Sequence, residues 1–255
     1  DAIISPIEII LTSSSALCPA QQDPFLPIVE DPPLVNASVD QTVCANNADV
    51  DLNGSVQGGS TTGEWTTFGG GTLTPHANTL NALYTPSAAD ITNGSVKLML
   101  TSTNNGNCLA EKDSIQITIT APPVVDILQD TVIVCANNSM VSLSGTVSGP
   151  TTTGVWSSTG DGIFNPNNVS LNTNYYPGVN DLSTPGTWAY LRSTSNGKCK
   201  YEQDSIYIEY TDAPDVEAGT NQLICTNDSL IPLNGSIVGG TSTGEWTGGM
   251  GTFSP

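Results

Sequence analysis

Six cysteines, one histidine and a scatter of carboxylates make up the reactive inventory of this 255-residue chain. The lone histidine, His76, excludes multi-histidine metal sites and leaves one place for a histidine-based triad. It lies in the turn-like string Pro75-His76-Ala77-Asn78 and has no counterpart one repeat later, which marks an exposed loop residue rather than a general base. Asp49 with Asp51, and Asp161 between Gly160 and Gly162, offer the oxygen ligands that calcium takes, but without an EF-hand or nonapeptide spacing. The expectation is no cofactor, with calcium the one candidate cation. Zinc is disfavoured because no C-x₂-C pair occurs. A carboxylate pair for glycoside hydrolysis would have to be duplicated with the repeat described next, and Glu64 becomes Val155 there. The inventory reads as non-enzymatic.

The cysteines carry more information, because they recur. Cys44-Ala-Asn-Asn returns as Cys135-Ala-Asn-Asn and as Cys225-Thr-Asn-Asp, and Gly63-Glu-Trp65 returns as Gly154-Val-Trp156 and Gly244-Glu-Trp246. Cys18, Cys108 and Cys199 keep the same step of 90 or 91 residues. Three landmarks in one register define a tandem repeat. The organisation expected is the C-terminal part of a truncated repeat over 1–33, whole repeats over 34–122 and 123–213, and the N-terminal part of another over 214–255. The window reads as part of a longer polypeptide. Cys44 and Cys108 are 64 residues apart, as are Cys135 and Cys199, so a same-unit pairing repeats identically. Cys18 and Cys225 then have partners outside the window. Such a bridge contributes roughly 4 kcal/mol in the chain-entropy model and implies an oxidising compartment. Reduced, buried thiols are the competing reading.

What must position these residues is a set of short strands. Val96, Leu98 and Leu100 alternate with Lys97, Met99 and Thr101, and Ile115, Ile117 and Ile119 with Gln116, Thr118 and Thr120. This period of two predicts half-buried antiparallel strands joined at Asn104-Asn105-Gly106-Asn107. Val50 and Leu52 mark an earlier strand, Gly58–Gly63 predicts a hairpin before Trp65, and only Ser87–Ile91 suits a helical turn. Seven or so strands in about 90 residues, with turn signals throughout, predict an all-β fold of tandem immunoglobulin-like β-sandwich domains in an extended array. Short, proline-stiffened linkers such as Ala121-Pro122-Pro123 predict a semi-rigid rod. Trp65, Trp156 and Trp246 recur within a strand and are expected to anchor the cores. Trp188, aligned with Val96, has no such recurrence.

Composition narrows the partners. Net charge is −19 because Lys and Arg number only 5, against 24 acidic residues. That excludes a phosphate-binding nucleic-acid partner and a polybasic membrane anchor. No apolar run approaches the length of a membrane helix, and Asp1–Leu11 lacks the basic start of a signal peptide. The charge is spread as −5, −5, −5 and −4 over the four segments, so every unit repels its neighbours' exposed edges.

The strings Asp40-Gln-Thr-Val-Cys-Ala-Asn-Asn, Leu52-Asn-Gly-Ser, Thr62-Gly-Glu-Trp, Tyr84-Thr-Pro-Ser-Ala-Ala-Asp and Gly106-Asn-Cys resemble repeats of giant Bacteroidetes surface proteins. These include the large gliding-motility adhesins exported by the type IX secretion system. The units also resemble polycystic-kidney-disease domains. The resemblance implies an extracellular, cell-surface stalk or filament acting in gliding motility or attachment. Its partners would be neighbouring repeats of one long chain, surface polysaccharide or other cell-surface proteins. The alternative it leaves open is a spacer or carbohydrate-binding module of a secreted polysaccharide-degrading enzyme. It further implies O-glycosylation at Asp-Ser/Thr followed by an aliphatic residue, which designates Ser114, Thr131, Ser205 and Ser229. Asp113 and Asp204, ahead of two of these, also suit a turn-capping role.

Overall fold

Alternating Val, Ile and Leu with polar residues leaves each strand one apolar face, and two such faces must close on each other to leave water. A computed structural model describes residues 7–228 and 230–254 and divides into two compact units, Asp1–Ala121 and Pro122–Pro255.

The first unit opens with a hairpin of β1 (Ile9–Thr12) and β2 (Gln22–Phe25), exposed throughout. Its sandwich follows as β3 (Pro33–Asn36), β4 (Gln41–Cys44), β5 (Val50–Asp51), β6 (Ser55–Gly58), β7 (Thr62–Thr67), β8 (Thr72–Thr74), β9 (Leu83–Thr85), α1 (Ala88–Asn93), β10 (Ser95–Thr103) and β11 (Lys112–Thr120). One sheet has the order β4-β11-β10-β7; the other layer is made of β3-β6 and β5-β9-β8. β4 runs parallel to β11, and the remaining pairs of its sheet are antiparallel.

The second unit repeats the plan with β12 (Val124–Ile127), β13 (Thr131–Cys135), β14 (Val141–Ser148), β15 (Thr153–Ser158), β16 (Ile163–Asn165), β17 (Asn172–Tyr176), a 3₁₀ turn at Asp181–Ser183, β18 (Gly186–Thr194) and β19 (Gln203–Thr211). Its sheets are β12-β14-β17-β16 and β13-β19-β18-β15, β13 again lying parallel to the last strand. A short pair, β20 (Asp215–Glu217) with β21 (Ser236–Val238), completes it. A first strand divided between two sheets, antiparallel in one and parallel to the closing strand in the other, is an immunoglobulin-like sandwich. The chain is therefore all-β, with tandem sandwiches.

Each core forms where the sheets face. Val50, Leu52 and Tyr84 meet Trp65, Leu98, Leu100, Ile115 and Ile117 in the first unit; Val141, Leu143 and Tyr175 meet Trp156, Leu191, Ile206 and Ile208 in the second. Trp65 and Trp156 are 2% and 1% exposed, and each donates its indole N–H to a backbone carbonyl, of Leu80 and of Leu171. A glycine makes room for each ring. A Cβ on Gly54 would stand 2.7 Å from the Trp65 ring, 2.9 Å from Leu100 and 3.1 Å from the Leu80 carbonyl. Gly54→Ala is therefore expected to destabilise the first unit by about 1–3 kcal/mol through overpacking, read as a lowered thermal midpoint.

Trp246 is 42% exposed, with Gly235 beside its ring as Gly54 is beside Trp65. Two expectations need correction. Gly58–Gly63 is no hairpin. β6 pairs with β3 and β7 with β10, so this segment crosses between the layers. Gly58 turns it at φ 80°, where a Cβ would collide with the Pro32 carbonyl, and the Ser60 hydroxyl then fastens it to the Thr103 carbonyl.

The same-unit cysteine pairing also fails. Cys108 and Cys135 are free thiols, as are Cys18 and Cys225, whereas Cys44 and Cys199 are disulfide-bonded. The reason is the parallel strand. Cys44 lies opposite Thr120 and Cys135 opposite Thr211, at the C-terminal ends of β11 and β19. The second cysteine of each unit precedes the same strand. Nine-residue strands are about 27 Å long between their end residues, and a disulfide tolerates Cα atoms only about 7 Å apart.

Candidate functional site

The most densely bonded polar cluster of each unit is buried. In the second unit the sequence Tyr175-Tyr-Pro-Gly ends β17 and swings the chain into the 3₁₀ turn, carrying Asp181 back under the sandwich. Asp181 is 3% exposed. Its Oδ2 accepts from the Tyr175 hydroxyl at 2.7 Å and the Gly178 N–H at 3.0 Å; its Oδ1 accepts from the Thr187 hydroxyl at 3.0 Å and the Asp161 N–H at 3.2 Å. Burial pushes the carboxyl pKa up, but these four bonds outweigh it and hold it below the ordinary 3.8. Burial, reinforced by the neighbouring carboxylate, pushes the Tyr175 hydroxyl up.

The first unit builds the same hub from other neighbours. Ser87 caps α1 in a capping box with Asp90, whose carboxylate also accepts from the Tyr84 hydroxyl at 2.9 Å and the Gly70 N–H at 3.2 Å. Burial raises the Asp90 carboxyl too, and its hydrogen bonds more than reverse the effect. The helical turn foreseen at Ser87–Ile91 is this α1. Both aspartates are buried and hold their protons weakly, the state of a hydrogen-bonded structural clasp.

Asp113 and Asp204 act as ties between the two sheets. Their carboxylates accept from the backbone N–H of Ala37 at 2.8 Å and Ile127 at 2.7 Å, and also from the N–H of Ser114 and Ser205. Ser114 and Ser205 are half-buried at the starts of β11 and β19, Thr131 is exposed at the start of β13, and Ser229 lies outside the described residues. The calcium candidates are engaged by protein donors. Asp49 accepts from the Thr85 hydroxyl at 2.8 Å, and Asp161 from the backbone and side-chain amides of Asn180. Among the described residues no three His, Cys, Asp or Glu side chains gather as metal ligands. His76 is exposed.

One surface differs between the units. Leu191 pairs with Trp156 as Leu100 pairs with Trp65, which sets Trp188 level with Lys97 and not with Val96. One step of register turns it outward. There its ring lies 5.1 Å from Tyr207 and 6.4 Å from Tyr190, at 42% exposure. Arg192 continues the row 3.9 Å above the Tyr201 ring. The first unit has Lys97, Met99, Thr101 and Gln116 on the corresponding face, so this aromatic row belongs to the second unit alone. No helix among the described residues is long and apolar enough to cross a membrane.

These features define a tandem immunoglobulin-like protein with buried tyrosine–aspartate clasps. By sequence the chain matches no protein-family model and no characterised protein. By structure it is similar to the insect immune protein hemolin, at 14% identity and TM-score 0.39, over 81% of this chain and 56% of that one. Titin domains I67–I69 are similar at 12% identity and TM-score 0.40, over 73% and 68%. Sidekick-1 immunoglobulin domains 1–4 are similar at 11% identity and TM-score 0.36, over 81% and 58%. The chain thus spans little more than half of the hemolin chain and of the Sidekick-1 chain of domains 1–4, and the assignment of the fold rests on the strand order above.

Proposed function

We propose that the chain is a structural and adhesive repeat region, the stalk or filament of a secreted bacterial surface adhesin serving attachment or gliding. The observation that carries this reading is repetition without a repeated reactive site. What recurs from unit to unit is core and clasp, both of which serve stability. The reading places the protein outside the cell, exported by a type IX route, with neighbouring repeats and cell-surface proteins or polysaccharide as partners. It keeps the four-segment division at 33/34, 122/123 and 213/214, and O-glycosylation at Ser114, Thr131, Ser205 and Ser229. Intact-mass measurement of secreted material tests the modification: a mass equal to that of the bare chain removes it.

A second reading, a carbohydrate-binding spacer beside a secreted hydrolase, is favoured by the Trp188, Tyr190 and Tyr207 row. Exposed aromatic faces stack on the apolar face of a sugar ring. A glycan array separates the two. The adhesive stalk expects no glycan signal that depends on Trp188; the spacer expects binding that Trp188→Ala abolishes. Because Trp188 is 42% exposed and packs on Tyr190 and Tyr207, that substitution is expected to lower the thermal midpoint modestly without unfolding the unit. Sequence on either side of the chain provides an independent check: further copies favour the stalk, a catalytic domain the spacer.

A further inference from the structure

The sheet β13-β19-β18-β15 of the second unit turns one face to its core and the other to solvent. On the outer face three residues stand in line across neighbouring strands. Thr131 lies opposite Tyr207, and Tyr207 lies opposite Trp188. Val132, Ile206, Ile208 and Ala189 beside them pack into the core, so alternation turns these three outward. The Asp130 carbonyl accepts from the Tyr207 N–H at 2.9 Å, which fixes the level of Thr131 on the edge strand β13. The first unit crosses the same level with Asp40, Gln116 and Lys97. Asp40 stands as far before Cys44 as Thr131 before Cys135, and its Oδ1 accepts from the Gln116 N–H at 2.8 Å, opposite Lys97. The hydroxyl and the two aromatic rings thus occur together in one unit and are replaced together in the other.

We propose that a glycan linked to Thr131 runs across this sheet and stacks on Tyr207 and then on Trp188. The inference rests on the O-glycosylation of Thr131 proposed above and adds where the sugar lies. Thr131 is exposed, whereas Ser114 and Ser205 are half-buried. Neighbouring strands are about 5 Å apart, close to the width of a pyranose ring, so the first sugar reaches Tyr207 and the second Trp188. The C–H face of each sugar meets the electron-rich face of an aromatic ring and shields it from water. The link forms when the Thr131 hydroxyl oxygen displaces phosphate from the anomeric carbon of a glycosyl phosphate donor. A carbon–oxygen bond to Thr131 is made, the one to phosphate breaks, the hydroxyl proton passes to a base of the transferring enzyme, and the phosphate leaves with the bonding pair. A row covered in this way offers no face to a foreign glycan, as the stalk expects.

The test is hydroxyl-radical footprinting with peptide mass mapping on three chains: the secreted wild type, secreted Thr131→Val, and wild type made in a host without glycosyl transfer. Trp188 and Tyr207 are expected to oxidise several-fold more slowly in the secreted wild type than in the bare chain. Thr131→Val, nearly isosteric at an exposed strand position, is expected to restore the bare rate. Buried Trp156 reports the fold and should stay slow in all three. A Thr131 peptide of unmodified mass in the secreted wild type overturns both the modification at that residue and the stacking. A modified Thr131 peptide with Trp188 and Tyr207 oxidising at the bare rate overturns the stacking alone. Protection that persists in Thr131→Val assigns the cover to another group, such as a glycan on Ser205, and overturns the proposal as well.

Discussion

Asp181→Ala is expected to destabilise the second unit by about 3–5 kcal/mol, enough to unfold a marginal sandwich near room temperature. The substitution leaves the buried Thr187 hydroxyl and the N–H groups of Gly178 and Asp161 without their acceptor, and the buried Tyr175 hydroxyl with only the longer bond to Ser158 at 3.2 Å. Asp181→Asn is nearly isosteric yet does little better. Each carboxylate oxygen accepts two bonds, so the amide nitrogen must face two donors whichever way it turns. Hydrogen exchange read by mass spectrometry checks the result: protection should fall in β17, β18 and β19 while the first unit, held by Asp90, keeps its own. The pH dependence has a definite sign. The folded carboxyls of Asp90 and Asp181 lie below 3.8, so their contribution is complete above about pH 4 and fades as pH falls through the folded values. Asp181→Asn should therefore flatten the acid limb of the second unit's stability curve, and a mutant limb as steep as the wild type's would remove Asp181 from that role.

Much of this was legible in the residues. Val96-Lys97-Leu98 and Ile115-Gln116-Ile117 announce two-faced strands, and the Cys and Trp landmarks announce the repeat. The cysteine partners could not be read from spacing, because in a periodic chain every same-phase pairing recurs with the period. Cys44 to Cys108 is a regular spacing, and only the parallel course of β4 along β11 sets Cys44 beside the end of the strand that Cys108 precedes. The crossover at Gly58–Gly63 imitates a hairpin because both need glycine at a positive φ. Trp188 was misplaced by a single register step, which in a strand exchanges inside for outside. The clasp did leave a signal, tyrosine and aspartate six apart at Tyr84 and Asp90 and again at Tyr175 and Asp181, with nothing in their types to separate a clasp from a surface pair.

The parallel pairing of β4 with β11 also dictates when a unit can finish folding. Gln41 meets Ile117 and Cys44 meets Thr120, so the first strand of this sheet stays unpaired until the last has been made. Such contacts span nearly a whole repeat, and contacts that distant fold slowly. During that wait the exposed edge can be met by the closing strand of the following repeat, whose sequence is a near copy. Exchange of closing strands between neighbours is thus the misassembly this chain must outrun. The divergence between units, Val155 for Glu64 or Ile206-Tyr207-Ile208 for Ile115-Gln116-Ile117, gives each strand a means of telling its own partner from its neighbour's.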